Sequence, residues 1–272
     1  MKGKPKVLNT HGSLLGYKKY LPYNQHIPYR LYDALTFKAS AKIANAVIVS
    51  SKLEYEDAID FGISKNKLHI IPMGIDVGMY TGNSSKMANE AINILFVGRI
   101  ARVRRIEIIL QAVAKLSIPF HLTLVGGEEK TSSLSRAGYM SELKKLCETL
   151  NISNRTTFVG PVSQSALPNW YNKSDIFIYP SLYENFGQPI LEAAAAGLPI
   201  ISTPVGIAKE IITDSETGFL VSGKPDELAD RITKLTDINL RTKMGNTLRE
   251  KVSNLYGWDG IIDQYMDLYQ SL

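Results

Sequence analysis

An α/β fold built on parallel sheets is what this sequence predicts, on three observations. Short, continuous apolar runs such as NILFV, DIFIY and PIIS recur between residues 92 and 222. Amphipathic stretches of helical period separate them, which is the pattern of strands covered on both faces. Glycine follows several of the runs, as it does where a strand must turn sharply toward a helix.

The elements follow in order. Lys6–Thr10 reads as a strand, Tyr29–Ala44 as a helix with Leu31, Leu35, Ala39 and Ile43 on one face, and Ala46–Ser50 as a second strand. Ser51–Phe61 reads as a helix capped by Ser50 or Ser51 with Glu54 behind it. Leu68–Ile71 is a third strand. Residues 79–91 hold Thr, Gly, Asn and Ser with little periodicity and read as a linker. Six further strands then alternate with helices: Asn93–Val97, Phe120–Val125, Thr156–Val159, Asp175–Tyr179, Pro199–Ser202 and Gly218–Val221. The helices between and after them fall at 105–116, 139–150, 164–171, 188–196, 208–213, 227–235, 240–255 and 258–269. The division that results is a partial first domain over 1–78, a linker over 79–91, a complete domain over 92–255, and a last helix over 256–272.

At 272 residues and 44% hydrophobic content the chain can bury a core of normal size, which excludes disorder. A single cysteine, Cys147, excludes a disulfide framework and a cysteine-ligated zinc site, and it fits a reducing, cytoplasmic setting. No apolar run reaches the roughly 18 residues that span a bilayer, and the basic start Met1–Lys6 has no signal-peptide stretch behind it. The net charge of +5 is unevenly spread. Residues 1–52 carry nine Lys/Arg against one acid, Asp33, while the remainder sums to slightly negative. Such a patch attracts phosphorylated ligands or anionic lipid. Tyr17, Tyr20, Tyr23, Tyr29 and Tyr32 lie among these cations and suit a membrane interface. Nucleic acid is the weaker expectation, since no recognised binding module accompanies the charge.

The chemistry concentrates after the strands, where open α/β sheets hold ligands. In Tyr179–Ser202, Glu184 lies in the turn after a strand, Asn185–Gln188 open a helix, and Pro189 sits in its first turn, where no N–H is needed. Unpaired N–H groups at that helix start, aided by its dipole, favour an anion. Glu192, one turn in, is placed to grip vicinal hydroxyls such as those of a ribose. The second stretch, Phe96–Arg105, ends a strand in Gly98 and crowds Arg99, Arg102, Arg104 and Arg105 into one loop; guanidinium groups match paired diphosphate oxygens. Gly126-Gly127 and Gly206 also follow strands. The four histidines, His11, His26, His69 and His121, lack metal-ligand spacing, so no metal and no cofactor is expected.

Phe96-Val-Gly-Arg99, Pro180–Gly187, Glu192–Pro199, Thr203–Gly206, Glu210 and Thr217–Leu220 together resemble glycosyltransferase family four. The resemblance is strong over 92–272 and moderate over 5–80, through Thr10-His11-Gly12, Ala46–Ser50 and Ile71–Asp76. It implies the GT-B fold of two Rossmann-like domains facing a cleft, the first of them shortened here. It implies sugar transfer from a nucleotide diphosphate sugar with retention of configuration and without a metal. On this resemblance Gly98, Arg99 and Arg104 meet the donor diphosphate. Glu184, with the backbone of Asn185, Phe186 and Gly187, holds the donor sugar; Glu192 holds the ribose; Gly126, Val162, Gln188 and Pro189 also bind the donor; the turn after Gly160 borders the nucleobase; His11 faces the reacting sugar. Two departures stand out. Arg105 replaces the family's glycine, which puts the local loop in doubt, and Ile207 follows Gly206 where a second glycine is expected, which would narrow the space beside the sugar. The final helix is expected to cross back onto the first domain through Trp258, Ile261, Ile262, Tyr265 and Tyr269. The partners implied are a nucleotide sugar donor, a lipid-linked or other acceptor, an anionic membrane surface, and a second chain at the edge of the shortened sheet. The competing reading is a donor-binding subunit that depends on such a partner for its acceptor half.

Overall fold

The structure is a computed structural model, and it describes residues 3–10, 27, 31, 33–80, 91–128 and 138–272. His11, the five tyrosines of the basic segment and residues 81–90 of the expected linker lie outside the described residues.

Two parallel sheets organise the chain. In the first, β1 (Val7–Asn9), β2 (Ala46–Val49) and β3 (Leu68–Ile70) lie in that order. Ala46, Val47, Ile48 and Val49 are all buried, as a strand with helices on both faces requires. Helix α1 (Lys38–Ile43) follows a π-helical turn over Asp33–Phe37, and α2 (Lys52–Asp60) follows β2. Ser51 caps α2 by accepting from Glu54 N at 3.1 Å.

The second sheet has six strands: β4 (Ile92–Val97), β5 (Phe120–Val125), β6 (Thr156–Gly160), β7 (Ile176–Tyr179), β8 (Ile200–Ser202) and β9 (Gly218–Leu220). Their order is β6-β5-β4-β7-β8-β9, so the winding reverses between β4 and β7. The flanking helices are α3 (Ile106–Val113), α4 (Tyr139–Thr149), α5 (Leu167–Asn172), α6 (Gln188–Ala195), α7 (Ala208–Ile211), α8 (Pro225–Lys234), α9 (Ile238–Tyr256) and α10 (Trp258–Ser271). Central-strand side chains such as Ile94, Leu95, Phe96, Phe177 and Ile178 are fully buried and form one continuous core with α3, α6 and α9. Gly245 lets α9 approach closely, since a Cβ there would stand 2.0 Å from Gly197 O.

Helix α10 crosses back to the first sheet. Ile75 N bonds Tyr256 O at 2.9 Å. Ile261 and Leu268 are buried against Ala46, Ile48 and Ile71, and Asn9 Nδ2 donates to Tyr265 OH at 3.1 Å. The face differs in part from the expected one: Trp258, Ile262 and Tyr269 are about half exposed. The indole of Trp258 instead lies over Gly74, where a Cβ would stand 2.5 Å from the ring. The apolar face expected over 29–44 is also turned. Leu31, Leu35 and Ile43 are exposed, while Phe37 and Ala41 pack inward. The predicted face stays together but turns to solvent, and the Phe37–Ala41 face, with the small Ala41, packs on the sheet instead.

Candidate functional site

The reversal of strand order opens a crevice beyond the carboxyl ends of β4 and β7, where ligands bind in sheets of this kind. Both motif stretches meet there: Gly98–Arg105 leaves β4, and Pro180–Gly187 leaves β7. Glycine makes one wall. Gly98 O lies against the loop after β5, and a Cβ on Gly126, whose φ is +142°, would stand 1.9 Å from it. Gly126 N bonds Gly160 O at 2.9 Å, which aligns the ends of β4, β5 and β6. Val162, two residues beyond β6, is half-buried against the core at the end of this row.

Gly187 takes φ +90° as the cap of α6, Gln188 begins the helix and Pro189 occupies its first turn. Ile190 N turns back to Gly187 O at 2.9 Å. The oxygen Gln188 Oε1 is buried and has no hydrogen-bond partner. The Phe186 ring is in the core, so only its backbone faces the turn, and Phe186 O accepts from Ile207 N at 2.7 Å. The Ile207 side chain is buried in the same core, so it does not narrow the crevice as expected. Gly206 is held between; a Cβ on it would stand 2.2 Å from Phe186 O.

The two glutamates have separate surroundings. Glu192 on α6 is 6% exposed, and its Oε2 accepts from Tyr171 OH at 2.8 Å. Burial pushes its carboxyl above the ordinary value, and the Tyr171 bond opposes that shift. Tyr171 is itself fully buried and stacks edge-on with Tyr80 at 5.8 Å. Glu184 Oε1 is paired with Arg104 Nη1 and with Tyr179 OH. Burial and the Glu184 charge hold the Tyr179 hydroxyl well above its ordinary value, against the pull of Arg104.

The arginine cluster is divided among tasks. Arg99, just past the carboxyl end of β4, is exposed. Arg102 pairs with Glu142. Arg104, only 6% exposed, also donates to Ser181 Oγ at 3.1 Å and to Tyr183 O at 3.2 Å, and its guanidinium lies 5.6 Å from the Tyr179 ring centre. Arg105 caps α3 with φ +50° and ψ +46°, the left-handed conformation a glycine would adopt. The loop is therefore kept, and Arg105 Nε donates to Pro180 O at 2.8 Å. Sequence reasoning missed Tyr171 and Tyr179, because buried tyrosines at the end of a helix and a strand read as core.

An open parallel sheet with a charged, glycine-lined switch-point crevice is the arrangement in which doubly wound α/β proteins hold nucleotides. The family model described as glycosyl transferases group 1 matches residues 83–251, and that described as glycosyltransferase family 4 matches residues 1–78. The chain belongs to the glycosyl transferases group 1 family. It is 29% identical over 255 residues to a glycosyltransferase of uncharacterised activity from Methanocaldococcus jannaschii, covering 87% of this chain and 62% of that protein. It is 27% identical over 242 residues to the D-inositol 3-phosphate glycosyltransferase of Xylanimonas cellulosilytica, covering 83% of this chain and 57% of that one. The chain thus spans about three-fifths of the length of these curated relatives. Among solved structures it resembles sucrose-phosphate synthase from Thermosynechococcus elongatus, with TM-score 0.82, 29% identity, and 97% of this chain and 67% of that chain covered. Anabaena HepE in complex with UDP and glucose shares the fold, with TM-score 0.84, 21% identity, and 98% and 72% covered. The fold is that of the GT-B glycosyltransferases.

Proposed function

We propose that this chain is a retaining glycosyltransferase that takes a sugar from a nucleotide diphosphate sugar. The observation that carries the reading is the convergence of Glu184, Glu192 and the start of α6 at the switch point, with Arg99 just past the carboxyl end of β4. Glu192 accepts the ribose hydroxyls. Arg99, with the α6 start, faces the diphosphate. Arg104 is the second member of the basic pair toward the diphosphate and also holds the Glu184 carboxylate. Gly98, Gly126 and Val162 bound the nucleotide, and the turn Asn185–Pro189 bounds the sugar. The bond from the anomeric carbon to the diphosphate oxygen breaks with its electron pair leaving on the nucleoside diphosphate. The acceptor oxygen forms the new bond on the same face and releases its proton. Fixed cationic and backbone groups stabilise the leaving charge, so transfer proceeds in excess chelator. His11, outside the described residues, is assigned to the reacting sugar by the family resemblance alone.

UDP is bound in a structure that shares the fold, which makes UDP and UDP-sugars the first probes. A thermal-shift panel of nucleotide sugars tests the donor; no shift at millimolar concentration refutes the site. The anomeric configuration of the product, read by NMR, tests retention.

A second reading, a donor-binding subunit that needs a partner for its acceptor half, is favoured by one observation. Among the described residues β1 pairs only with β2, and a strand edge invites another chain. Transfer by the purified chain alone would refute it. The exposed Leu31, Leu35 and Ile43 beside Lys38 and Lys42 support peripheral contact with an anionic membrane, where a lipid-linked acceptor would lie. Among the described residues no helix is long and apolar enough to cross one. Flotation with anionic and neutral liposomes at low salt decides this; equal recovery removes the membrane.

A further inference from the structure

The turn that carries Glu184 and Asn185 is fastened to the other sheet, and the fastening runs through Tyr183. The Tyr183 hydroxyl donates to Asp57 Oδ2 on α2 at 3.0 Å and also contacts the Asn185 side-chain amide. A hydroxyl has one proton to give, so both contacts are satisfied together when Asn185 presents its NH2 to the Tyr183 oxygen. Two more bonds converge on the start of α2: Ser51 Oγ donates to Asn185 O at 2.5 Å, and Lys52 N donates to Glu210 Oε1 at 2.9 Å. At its other end Tyr183 is tied to the site, since its carbonyl accepts from Arg104, the partner of Glu184.

Helix α2 passes the connection on. Glu54, fully buried, accepts from Thr10 Oγ1 at 2.5 Å through one oxygen, and from Ser50 N at 2.7 Å and Ser50 Oγ at 2.6 Å through the other. The ends of β1 and β2 are thus bound to the same helix that grips the Asn185 turn. Packing alone does not hold this seam. Among the described residues only Leu53 from α2 joins the small apolar cluster of Ala101, Val103 and Tyr183, and a pocket of about 560 Å³, distinct from the switch-point crevice and lined by Leu53, Asp57 and Tyr183, remains open beside it.

We infer that Tyr183 and Asp57 are positioning residues. They latch the Asn185 turn to α2, so that a nucleotide in the switch-point crevice and the residues at the ends of β1 and β2 are ordered together. The inference rests on the functional reading above. Neither side chain lies on the donor in that reading, and each acts through Asn185 and Glu184.

The test compares the full chain with Tyr183→Phe, Asp57→Ala and the double variant. UDP affinity is read by calorimetry, and hydrogen exchange of the α2 amides is read with and without UDP. The expected result is a three- to tenfold weaker UDP affinity in each single variant, about what one hydrogen bond is worth. The double variant is no worse than the weaker single, because both remove the Tyr183–Asp57 bond. UDP slows exchange over Glu54–Ala58 in the wild type and not in Tyr183→Phe. A purely structural role would lower the melting temperature and leave UDP affinity and the UDP-dependent protection intact; that outcome overturns the latch, as does simple additivity. If Tyr183→Phe fails to fold, Ser51→Gly, the replacement a helix cap tolerates best, decides by the same readouts. If the wild type ignores UDP, the functional reading and the latch fall together; if it binds and the variants bind equally, the latch alone falls.

Discussion

Replacing Glu192 with glutamine separates what burial does to this carboxylate from what it does for a ligand. Glu192 is 6% exposed and rests on Tyr171, and burial raises its pKa. A raised acid favours the folded state most below its unfolded pKa, and that contribution fades as pH rises through the folded pKa. At pH 8 the ionised carboxylate is therefore a burden on the unliganded protein. Glutamine keeps an oxygen for the Tyr171 hydroxyl and drops the charge, so Glu192→Gln melts higher than wild type at pH 8, and the gap closes toward pH 4. Binding moves the other way. A hydrogen bond to a charged group is worth about 1.5–3 kcal/mol, so losing one ribose contact weakens UDP by roughly 10- to 150-fold. In numbers the assay can read, UDP at a hundred times its wild-type Kd stabilises by about 2.7 kcal/mol, or roughly 5–11 °C for a protein of this size. After a hundredfold loss the same UDP concentration gives about 0.4 kcal/mol and a shift of about 1 °C. Differential scanning fluorimetry across pH, with calorimetry at pH 8, measures both arms. UDP affinity within twofold of wild type would refute the ribose role, and a lower melting point without ligand would refute the desolvation argument.

Three further outcomes follow from the site. Tyr171→Phe removes the bond that opposes the raised Glu192 pKa, so UDP binding is lost on acidification at a higher pH than in wild type; superimposable pH profiles would contradict this. At Arg105, alanine keeps the left-handed backbone cost and loses the Pro180 bond, while glycine loses the bond but relieves the backbone. Arg105→Gly is therefore more stable than Arg105→Ala by about 1 kcal/mol in chemical denaturation. Gly126→Ala drives a methyl into Gly98 O at a φ of +142°, costs at least about 2 kcal/mol, and shifts the Gly98 loop; wild-type stability and UDP affinity would show that the two loops give way freely.

The six-strand sheet was legible because its signal is local. Runs such as NILFV and DIFIY announce strands wherever the chain folds, whereas their order, with its reversal between β4 and β7, is set by pairing that no single run carries. Gly187 and Pro189 likewise mark the start of α6 from neighbours in sequence alone. Faces were harder. Over 29–44 the apolar spacing of four is genuine, yet Leu31, Leu35 and Ile43 face solvent while Phe37 and Ala41 face the sheet, and spacing alone does not say which of two such faces is buried.

The arginine loop shows a deeper limit. Arg99, Arg102, Arg104 and Arg105 read as one anion-gripping cluster because adjacency in sequence is all that can be seen. Once folded, each answers to its own burial. An arginine 6% exposed must be paired, since a buried unpartnered charge costs far more than a surface one. Arg104 accordingly closes on Glu184, eighty positions away, and on the Tyr183 carbonyl, while Arg99, just past the carboxyl end of β4, stays exposed. The same pairing changes the meaning of Glu184. Its carboxylate is held by Arg104 and Tyr179, so in the proposed reading what it offers a sugar is a fixed orientation rather than a free charge. Orientation of that kind is a property of the whole seam, from Arg104 through Tyr183 to Asp57, and no segment of the sequence carries it alone.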